Sequence, residues 1–262
     1  MPNFGNMLAT QESPVRKEAF LFADHLVLDD SPTRDFYKEL LRGLTHKNNN
    51  ALAVVQGFSS LILMEKGIDA DTAESVQHMR QAAQSSSELG ERVLTAGGVA
   101  RISKQRLQLE DFLPLLEERM RSICDSSGAI LSLRLARALP AVEADASRLK
   151  ELILELIRNA AEAAGTGPVG QVQIEVLGPK DWHSDEGGRP RVHLFVRNNG
   201  AHIPEDKLAE VFRPFQTTKG SGHFGIGLTS AGVVAGQMGM RLGIASEPGQ
   251  TTVWLSMPVA ER

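Results

Sequence analysis

Residues 155–163 read ELIRNAAEA and lie within an apolar pattern of helical spacing that runs from Ala146 to Ala164. This pattern predicts a helix over 146–164. Glu155 and Asn159 are four positions apart, so both side chains project from one face of that helix. Two oxygen donors on one face suit Mg²⁺, which prefers oxygen ligands and shares its coordination shell with phosphates. A solvated polar stripe would have the same spacing, so the pair alone leaves a metal site and an ordinary helix surface both open.

Three further motifs follow this helix in order. Residues 196–204, VRNNGAHIP, form an apolar strand that runs into a turn, where Gly200 allows the backbone to approach a ligand closely. Residues 212–215 read FRPF, and residues 217–228, TTKGSGHFGIGL, form a Gly-rich loop that opens a helix. Such a loop directs backbone N–H groups and the positive end of the helix dipole at phosphates, and Lys219 adds a point charge. A hinged loop without a ligand would have the same composition.

The remainder of the second half alternates between strand and helix patterns. Short strand-like runs lie at 171–177, 192–196 and 252–257, and helical patterns lie at 109–122, 146–164 and 228–238. Residues 179–190 are rich in Gly and charge and predict a hairpin loop. This order of elements predicts an α+β sandwich, with helices on one face of a mixed sheet.

The first half predicts two long amphipathic helices. Ser31 followed by Pro32 is a helix start, the break at 67–69 ends the first helix, and the second runs over 70–94. Two helices joined by a tight turn cannot bury two apolar faces alone, so we expect two hairpins to pair in a homodimeric four-helix bundle. A short helix is expected around 17–28. The chain therefore divides into an N-terminal segment (1–30), a helical hairpin domain (31–100) and an α+β domain (101–262).

Composition excludes several classes of function. The net charge is −4 and the basic residues are dispersed, which argues against a nucleic-acid partner. Cys124 is the sole cysteine, so an internal disulfide and a cysteine-based metal site are both excluded. No apolar run approaches the roughly 20 residues that span a bilayer, and residues 1–17 lack the pattern of a signal peptide. We expect a soluble, cytoplasmic protein without a membrane span.

In this order and spacing, the four motifs resemble the N, G1, F and G2 boxes of the ATP-binding domain shared by histidine kinases, DNA gyrase, Hsp90 and MutL. The resemblance covers about 107–258 and implies ATP with Mg²⁺ as cofactors. It places Mg²⁺ on Asn159, with Glu155 beside it, and makes residues 216–227 a lid over the triphosphate. The residues that it assigns to the nucleotide are Asn159, Asn198, Gly200, Ile203, Thr217, Lys219, Gly222, Gly225, Gly227, Leu228 and Thr251.

Two positions of the second motif depart from this family. Asn198 stands where the family usually has Asp, which accepts the adenine amino group, and His202 replaces the second Gly of the box. An amide oxygen still accepts one hydrogen bond but loses the assistance of the charge, which costs on the order of 1 kcal/mol. We therefore expect weakened nucleotide binding and relaxed base selectivity.

The first hairpin helix carries residues 44–52, LTHKNNNAL, which resemble the phosphoacceptor box of histidine kinases. His46 is two residues past Leu44, about 200° around the helix, so it is predicted to face solvent. The family usually has an acid after this histidine, which takes the imidazole proton, but here Lys47 follows. Because general-base assistance contributes typically ~10²–10⁴-fold, self-phosphorylation should be slower by about that factor. Asn50 lies one turn beyond His46, where the family positions the water that dephosphorylates a partner.

Three functions remain open at this point. The first is an ATP-dependent histidine kinase of two-component signalling, which phosphorylates His46 and exchanges phosphoryl groups with the receiver domain of a response regulator. The second is a kinase-impaired member that acts on the response regulator as a phosphatase, phosphotransfer protein or scaffold. The third is an ATP hydrolase in which Glu155 activates water, as the equivalent Glu does in gyrase and Hsp90.

Overall fold

A computed structural model describes residues 20–22, 32–165, 169–179, 189–217 and 224–261, with side chains from residue 35 onward in the first helix. The helices are α1 (Pro32–Met64), α2 (Ala70–Ala96), α3 (Leu109–Phe112), α4 (Glu117–Ser126), α5 (Ala146–Ala164), α6 (Glu205–Leu208) and α7 (Gly227–Gln237). The strands are β1 (Phe20–Leu21), β2 (Gln105–Leu107), β3 (Ala129–Leu135), β4 (Val142–Ala144), β5 (Gly170–Leu177), β6 (Arg191–Asn198), β7 (Arg241–Glu247) and β8 (Gln250–Pro258). Short 3₁₀ turns lie at Pro114–Leu116 and Glu210–Phe212.

The two long helices form the predicted hairpin. Gly67, at φ +94°, makes the turn between them. Asp69 then caps α2, its carboxylate accepting the Thr72 backbone N–H at 2.8 Å. None of the described helices is long and apolar enough to cross a membrane.

Within one chain, the hairpin buries small side chains and leaves the large ones exposed. Thr45, Ser59, Val76 and Ala83 are buried between α1 and α2. The predicted apolar stripe of α1 stays exposed, including Phe36, Leu40, Leu44, Val55, Phe58 and Ile62. A second hairpin would cover such a stripe, so the homodimer remains our expectation.

The second half forms the predicted α+β sandwich. A six-stranded mixed sheet has the order β1-β7-β8-β6-β5-β3, in which only β3 and β5 run parallel. The strands β2 and β4 pair separately. Helices α4, α5 and α7 pack beside one another and contact β3, β5, β6 and β7. The core between these layers contains Ile153 and Ile157 of α5, Ile174 of β5 and Leu194 of β6.

Several sequence expectations need correction. The helix predicted over 109–122 is interrupted, because Pro114 begins a 3₁₀ turn and the helix restarts at Glu117. The helix expected around 17–28 is not formed at Phe20–Leu21, which instead extend the sheet beside β7. The helix over 146–164 and the strands at 171–177, 192–196 and 252–257 are confirmed, while β2, β3, β4 and β7 were missed. Most of the loop expected at 179–190 lies outside the described residues.

Acid should destabilise this fold through His193, which is buried in β6. Burial, helped by the charge of Arg191, lowers the pKa of His193 to about 4. In the unfolded chain the pKa of this histidine is about 6.5. Between pH 6.5 and 4, therefore, His193 is protonated in the unfolded chain but stays neutral in the folded chain. Proton binding stabilises the unfolded chain, so the unfolding free energy is unaffected by His193 above about pH 6.5 and decreases as the pH falls toward 4. Between pH 6.5 and 5 the loss is on the order of 2 kcal/mol.

Urea unfolding at pH 7.5, 6 and 5 measures this effect when the chain is compared with His193→Gln. We expect the variant to lose less unfolding free energy as the pH falls. Equal losses in both proteins would contradict the assignment.

Candidate functional site

The rotation of α5 places the first motif at the rim of the sheet domain. Asp145 caps this helix and accepts the Arg148 backbone N–H at 3.1 Å. One face of α5 is buried in the core, and Glu155 and Asn159 lie at its edge, where the Glu155 side chain is 18% exposed. The Asn159 Nδ2 donates to Glu155 Oε1 at 3.4 Å. The two predicted oxygen ligands are therefore neighbours, as their spacing requires.

The Glu155 carboxylate contacts two arginines. Arg158, one turn along α5, bonds to Oε2. Arg92 of α2 places its Nη1 3.9 Å from the same oxygen. The hairpin thus contributes a cation to the candidate site. Sequence reasoning missed Arg92, because nothing local to α2 signals a contact with a helix that begins more than fifty residues later.

The start of α7 contacts the same carboxylate. A Cβ built on Gly227 would overlap Glu155 Oε1, so a larger residue here would displace the carboxylate from its present position. Gly225, at φ +63°, would place a Cβ 2.6 Å from the Gln216 carbonyl oxygen. The two ends of the Gly-rich loop therefore lie against each other and against the first motif.

The end of β6 approaches α5 from the other side. A Cβ on Gly200 would overlap the Ala163 carbonyl oxygen, one turn beyond Asn159. Asn198 is buried, and its Nδ2 has no hydrogen-bond partner among the residues described. A buried polar group without a partner is costly, so this nitrogen is a candidate donor to a ligand.

A hydroxyl network fixes the rest of the second motif. The Ser246 hydroxyl accepts the Ile203 backbone N–H at 2.9 Å and lies 2.7 Å from the Thr251 hydroxyl. His202 places Nδ1 3.3 Å from the same Ser246 oxygen. Thr251 is also the register partner of Asn198 across β6 and β8. The histidine that departs from the family pattern therefore has a structural partner, and sequence reasoning missed Ser246.

Most of the predicted site residues therefore lie on elements that contact either α5 or the end of β6. They are Glu155, Asn159, Asn198, Gly200, Ile203, Gly225, Gly227 and Thr251. Leu228 packs against the core at the start of α7, and Thr217 ends the described part of its segment. Lys219 and Gly222 lie outside the described residues. No group of three or more His, Cys, Asp or Glu side chains is placed for a metal within the described ranges. A site with one or two protein ligands, completed by substrate phosphates, needs no such group.

His46 lies on the exposed side of α1, as predicted. Its Nδ1 is 3.4 Å from the Asn50 Nδ2. The adjacent Thr45 packs against Gly90 of α2, where a Cβ would lie 3.0 Å from the Thr45 methyl group. Arg92, the hairpin residue that reaches Glu155, is only two positions further. His46 therefore lies at about the same height along the hairpin as the part of α2 that contacts the sheet domain.

Comparison with known proteins agrees with this geometry. Residues 144–261 match the family described as histidine kinase-, DNA gyrase B- and HSP90-like ATPases. The sensor histidine kinase ZraS of Salmonella typhimurium is 26% identical over 226 residues, which is 85% of this chain and 46% of ZraS. Residues 144–261 therefore form a domain of this ATPase family, and the longer chain is similar to sensor histidine kinases.

Two further proteins to which the chain is similar are informative. The sensory histidine kinase/phosphatase NtrB of Rhizobium leguminosarum bv. phaseoli is 34% identical over 129 residues, 47% of this chain and 33% of NtrB. The crystal structure of full-length ShkA in complex with AMPPNP has the same fold, with a TM-score of 0.70 at 24% identity over 86% of this chain and 47% of ShkA. The chain spans about half the length, or less, of these relatives.

The contact between Glu155 and Gly227 can be tested by a double-mutant cycle. Gly227→Ala should lower the unfolding free energy by about 1–3 kcal/mol, because the added methyl group overlaps the carboxylate. In a Glu155→Ala background the same change should cost less than about 1 kcal/mol. Gly57→Ala on α1 is the matched control, since nothing lies within 4 Å of its Cβ position, and it should be neutral or slightly stabilising. Equal costs for Gly227→Ala in both backgrounds would show that the two residues are not in contact.

Proposed function

We propose that this chain is an ATP-dependent protein-histidine kinase of two-component signalling. The observation that supports this most is the meeting at Glu155 of the first motif, the Gly-rich loop and a hairpin arginine. In the proposed reaction a nitrogen of His46 attacks the γ-phosphorus of ATP, the bond to the β–γ bridging oxygen breaks, and ADP leaves. The receiver domain of a response regulator then exchanges the phosphoryl group with His46.

The residues at the rim fit a nucleotide bound with Mg²⁺. Asn159 would hold the ion together with the phosphates, with Glu155 beside it, and the ion would neutralise charge on the transferred group. Gly225 and Gly227 hold the loop whose N–H groups would bind the phosphates. Ile203 would lie against the base, and Asn198 would read its polar edge.

The neighbours of His46 bear on its reactivity. Asn50 contacts Nδ1, and Nε2 makes no hydrogen bond within the described residues, which leaves Nε2 as the nitrogen that is free to attack the γ-phosphorus. If the Asn50 amide turns its oxygen to Nδ1, it accepts that N–H and leaves the lone pair on Nε2. Lys47 cannot take the proton that the imidazole releases, so we expect slow phosphorylation.

Incubation with γ-labelled ATP tests the proposal. We expect acid-labile, alkali-stable label on the chain and its loss in His46→Ala. His78→Ala is the matched control, because His78 is an exposed histidine on the other hairpin helix and should keep the label. Absence of label after long incubation, in a chain that binds ATP, would refute the kinase reaction.

A kinase-impaired member is the second candidate, and the Asn50–His46 contact beside Lys47 favours it. Such a protein would act on the response regulator as a phosphatase, phosphotransfer protein or scaffold. Lys47→Glu separates the two, since restoring an acid should raise labelling by about 10²-fold or more if only the base is missing. Lys47→Gln controls for loss of the positive charge. Failure of Lys47→Glu to gain label, with rapid dephosphorylation of a receiver domain, would favour the phosphatase.

ATP hydrolysis through Glu155 is opposed by the two arginines at its carboxylate. Both arginines contact Oε2 and the Asn159 amide contacts Oε1, so neither oxygen is left unoccupied to accept a proton from water. Phosphate release by His46→Ala that Glu155→Ala abolishes would nevertheless establish this activity. We also propose that the exposed stripe of α1 forms a homodimer, as the expected bundle requires.

A further inference from the structure

Two adjacent asparagines at the end of β6 are held in different ways. Asn199 is exposed, and both ends of its amide are hydrogen-bonded, because Oδ1 accepts the Gln171 backbone N–H and Nδ2 donates to the Val169 carbonyl, each at 2.8 Å. Asn198 is 5% exposed, yet its side chain makes no hydrogen bond to another described residue. The fold therefore fixes the orientation of the Asn199 amide and leaves that of Asn198 unfixed.

Asn198 is the first member of a polar row that crosses three strands. Its register partner on β8 is Thr251, and the register partner of Thr251 on β7 is Ser246. Register partners in antiparallel strands have their side chains on the same face of the sheet. Val172, the partner of Asn198 on β5, belongs to the core between the sheet and the helices, so the row lies on that face. Thr251 and Ser246 are 5% and 8% exposed.

The polar row lies where the proposed function places the base. A Cβ on Gly200 would lie 2.8 Å from the Asn198 Nδ2 and 2.4 Å from the Ala163 carbonyl oxygen, so the Asn198 amide is close to α5. Ser246 accepts the Ile203 backbone N–H at 2.9 Å, which holds Ile203 beside the row. The residue proposed to contact the base and the unfixed amide therefore border the same part of the candidate site.

The side chains of the polar row have no fixed hydrogen-bonding polarity. A carboxamide carries a donor and an acceptor, and a hydroxyl can donate or accept. Ser246 and Thr251 have their hydroxyl oxygens 2.7 Å apart, and either one can be the donor of that hydrogen bond. A carboxylate would only accept. The row therefore imposes no single pattern of donors and acceptors on a bound base.

Purine bases differ in this polarity at position 6. Adenine has an amino donor there, with an acceptor at N1, whereas guanine and hypoxanthine have an oxygen acceptor, with an N1–H donor. A carboxylate accepts from the adenine amino group but opposes the oxygen of a 6-oxopurine. An amide can pair with either edge, because a half-turn about its last side-chain bond exchanges its donor and its acceptor.

We propose that Asn198 lets this site bind 6-oxopurine nucleotides as well as ATP, because its unfixed amide turns to match either base. Asn198 is thereby the residue that sets the base selectivity. The proposal rests on the proposed function in one respect, that a purine nucleotide binds at this site. It does not require phosphoryl transfer to His46.

Calorimetric titration of ATP, ITP and GTP, each with Mg²⁺, into the whole chain tests the proposal. ITP differs from ATP only at position 6 and N1, so it is the direct probe, and GTP adds a 2-amino group. We expect ITP to bind the native chain within about tenfold of ATP. In Asn198→Asp we expect the ratio of the ITP to the ATP dissociation constant to rise by about 10- to 100-fold, because the base oxygen then faces a carboxylate that has no donor.

Two further variants separate base reading from packing and charge. Asn198→Ala removes donor and acceptor together, so both nucleotides should bind more weakly and their ratio should stay as in the native chain. Asn199→Asp is the matched control, because it adds the same charge one position away, at an amide that contacts only the backbone at 169 and 171. It should also leave the ratio unchanged. The ratio in the native chain needs no variant, so it decides the proposal even if Asn198→Asp fails to fold.

The outcomes distinguish this proposal from the kinase reaction. Binding of ATP with ITP and GTP both weaker by more than about a hundredfold would overturn the proposal and leave the kinase reaction standing. A ratio that Asn198→Asp does not change would overturn the role of Asn198. Binding of ITP without GTP would uphold the recognition of position 6 and restrict it to hypoxanthine. Binding of ITP with no label on His46 from any γ-labelled nucleotide would uphold the proposal and refute only the kinase reaction, whereas a chain that binds no nucleotide would refute both.

Discussion

The Glu155 carboxylate is placed by close packing, and the candidate site depends on that placement. Burial of one face of α5 fixes its rotation, which puts Glu155 at the rim beside Asn159. Because Gly227 has no side chain, the first residue of α7 lies directly against this oxygen. The Gly-rich loop and the helix that carries Asn159 are therefore joined by a steric contact. Protein interiors transmit such contacts because they are close-packed.

The same carboxylate also joins the two domains electrostatically. Arg92 is partly exposed, so its ion pair with Glu155 contributes little to stability, of the order of 0–1 kcal/mol. The position of Arg92 matters more than its energy. It lies two residues past Gly90, and Thr45, the residue before His46, packs against that glycine. The part of the hairpin that carries His46 is thus at about the same height as the Arg92 contact with the candidate nucleotide site. We expect the departures at Lys47 and Asn198 to lower the reactivity of His46 and the affinity for the nucleotide, respectively.

The parts of the fold with local signals could be predicted from sequence. Helix α5 has the predicted ends because Asp145 caps its start and Gly165 follows its last residue. Strand β7 was missed because it contains Gly243, which a β-propensity pattern counts against a strand. That glycine is needed because a Cβ there would overlap the Trp254 ring on β8. The pairing of Phe20 and Leu21 with β7 and the contacts of Arg92 and Ser246 join residues that are distant in sequence, so the local sequence carries no signal for them.

We propose that the rim of α5 binds ATP together with Mg²⁺ through Asn159. Calorimetric titration of ATP, with and without Mg²⁺, into the chain and into Asn159→Ala tests it most directly, with Asn48→Ala, an exposed amide of α1, as control. We expect Mg²⁺ to tighten binding to the native chain and to Asn48→Ala by about tenfold, and to have little effect on Asn159→Ala. Absence of ATP binding to the native chain, or an equal effect of Mg²⁺ on Asn159→Ala, would contradict the claim.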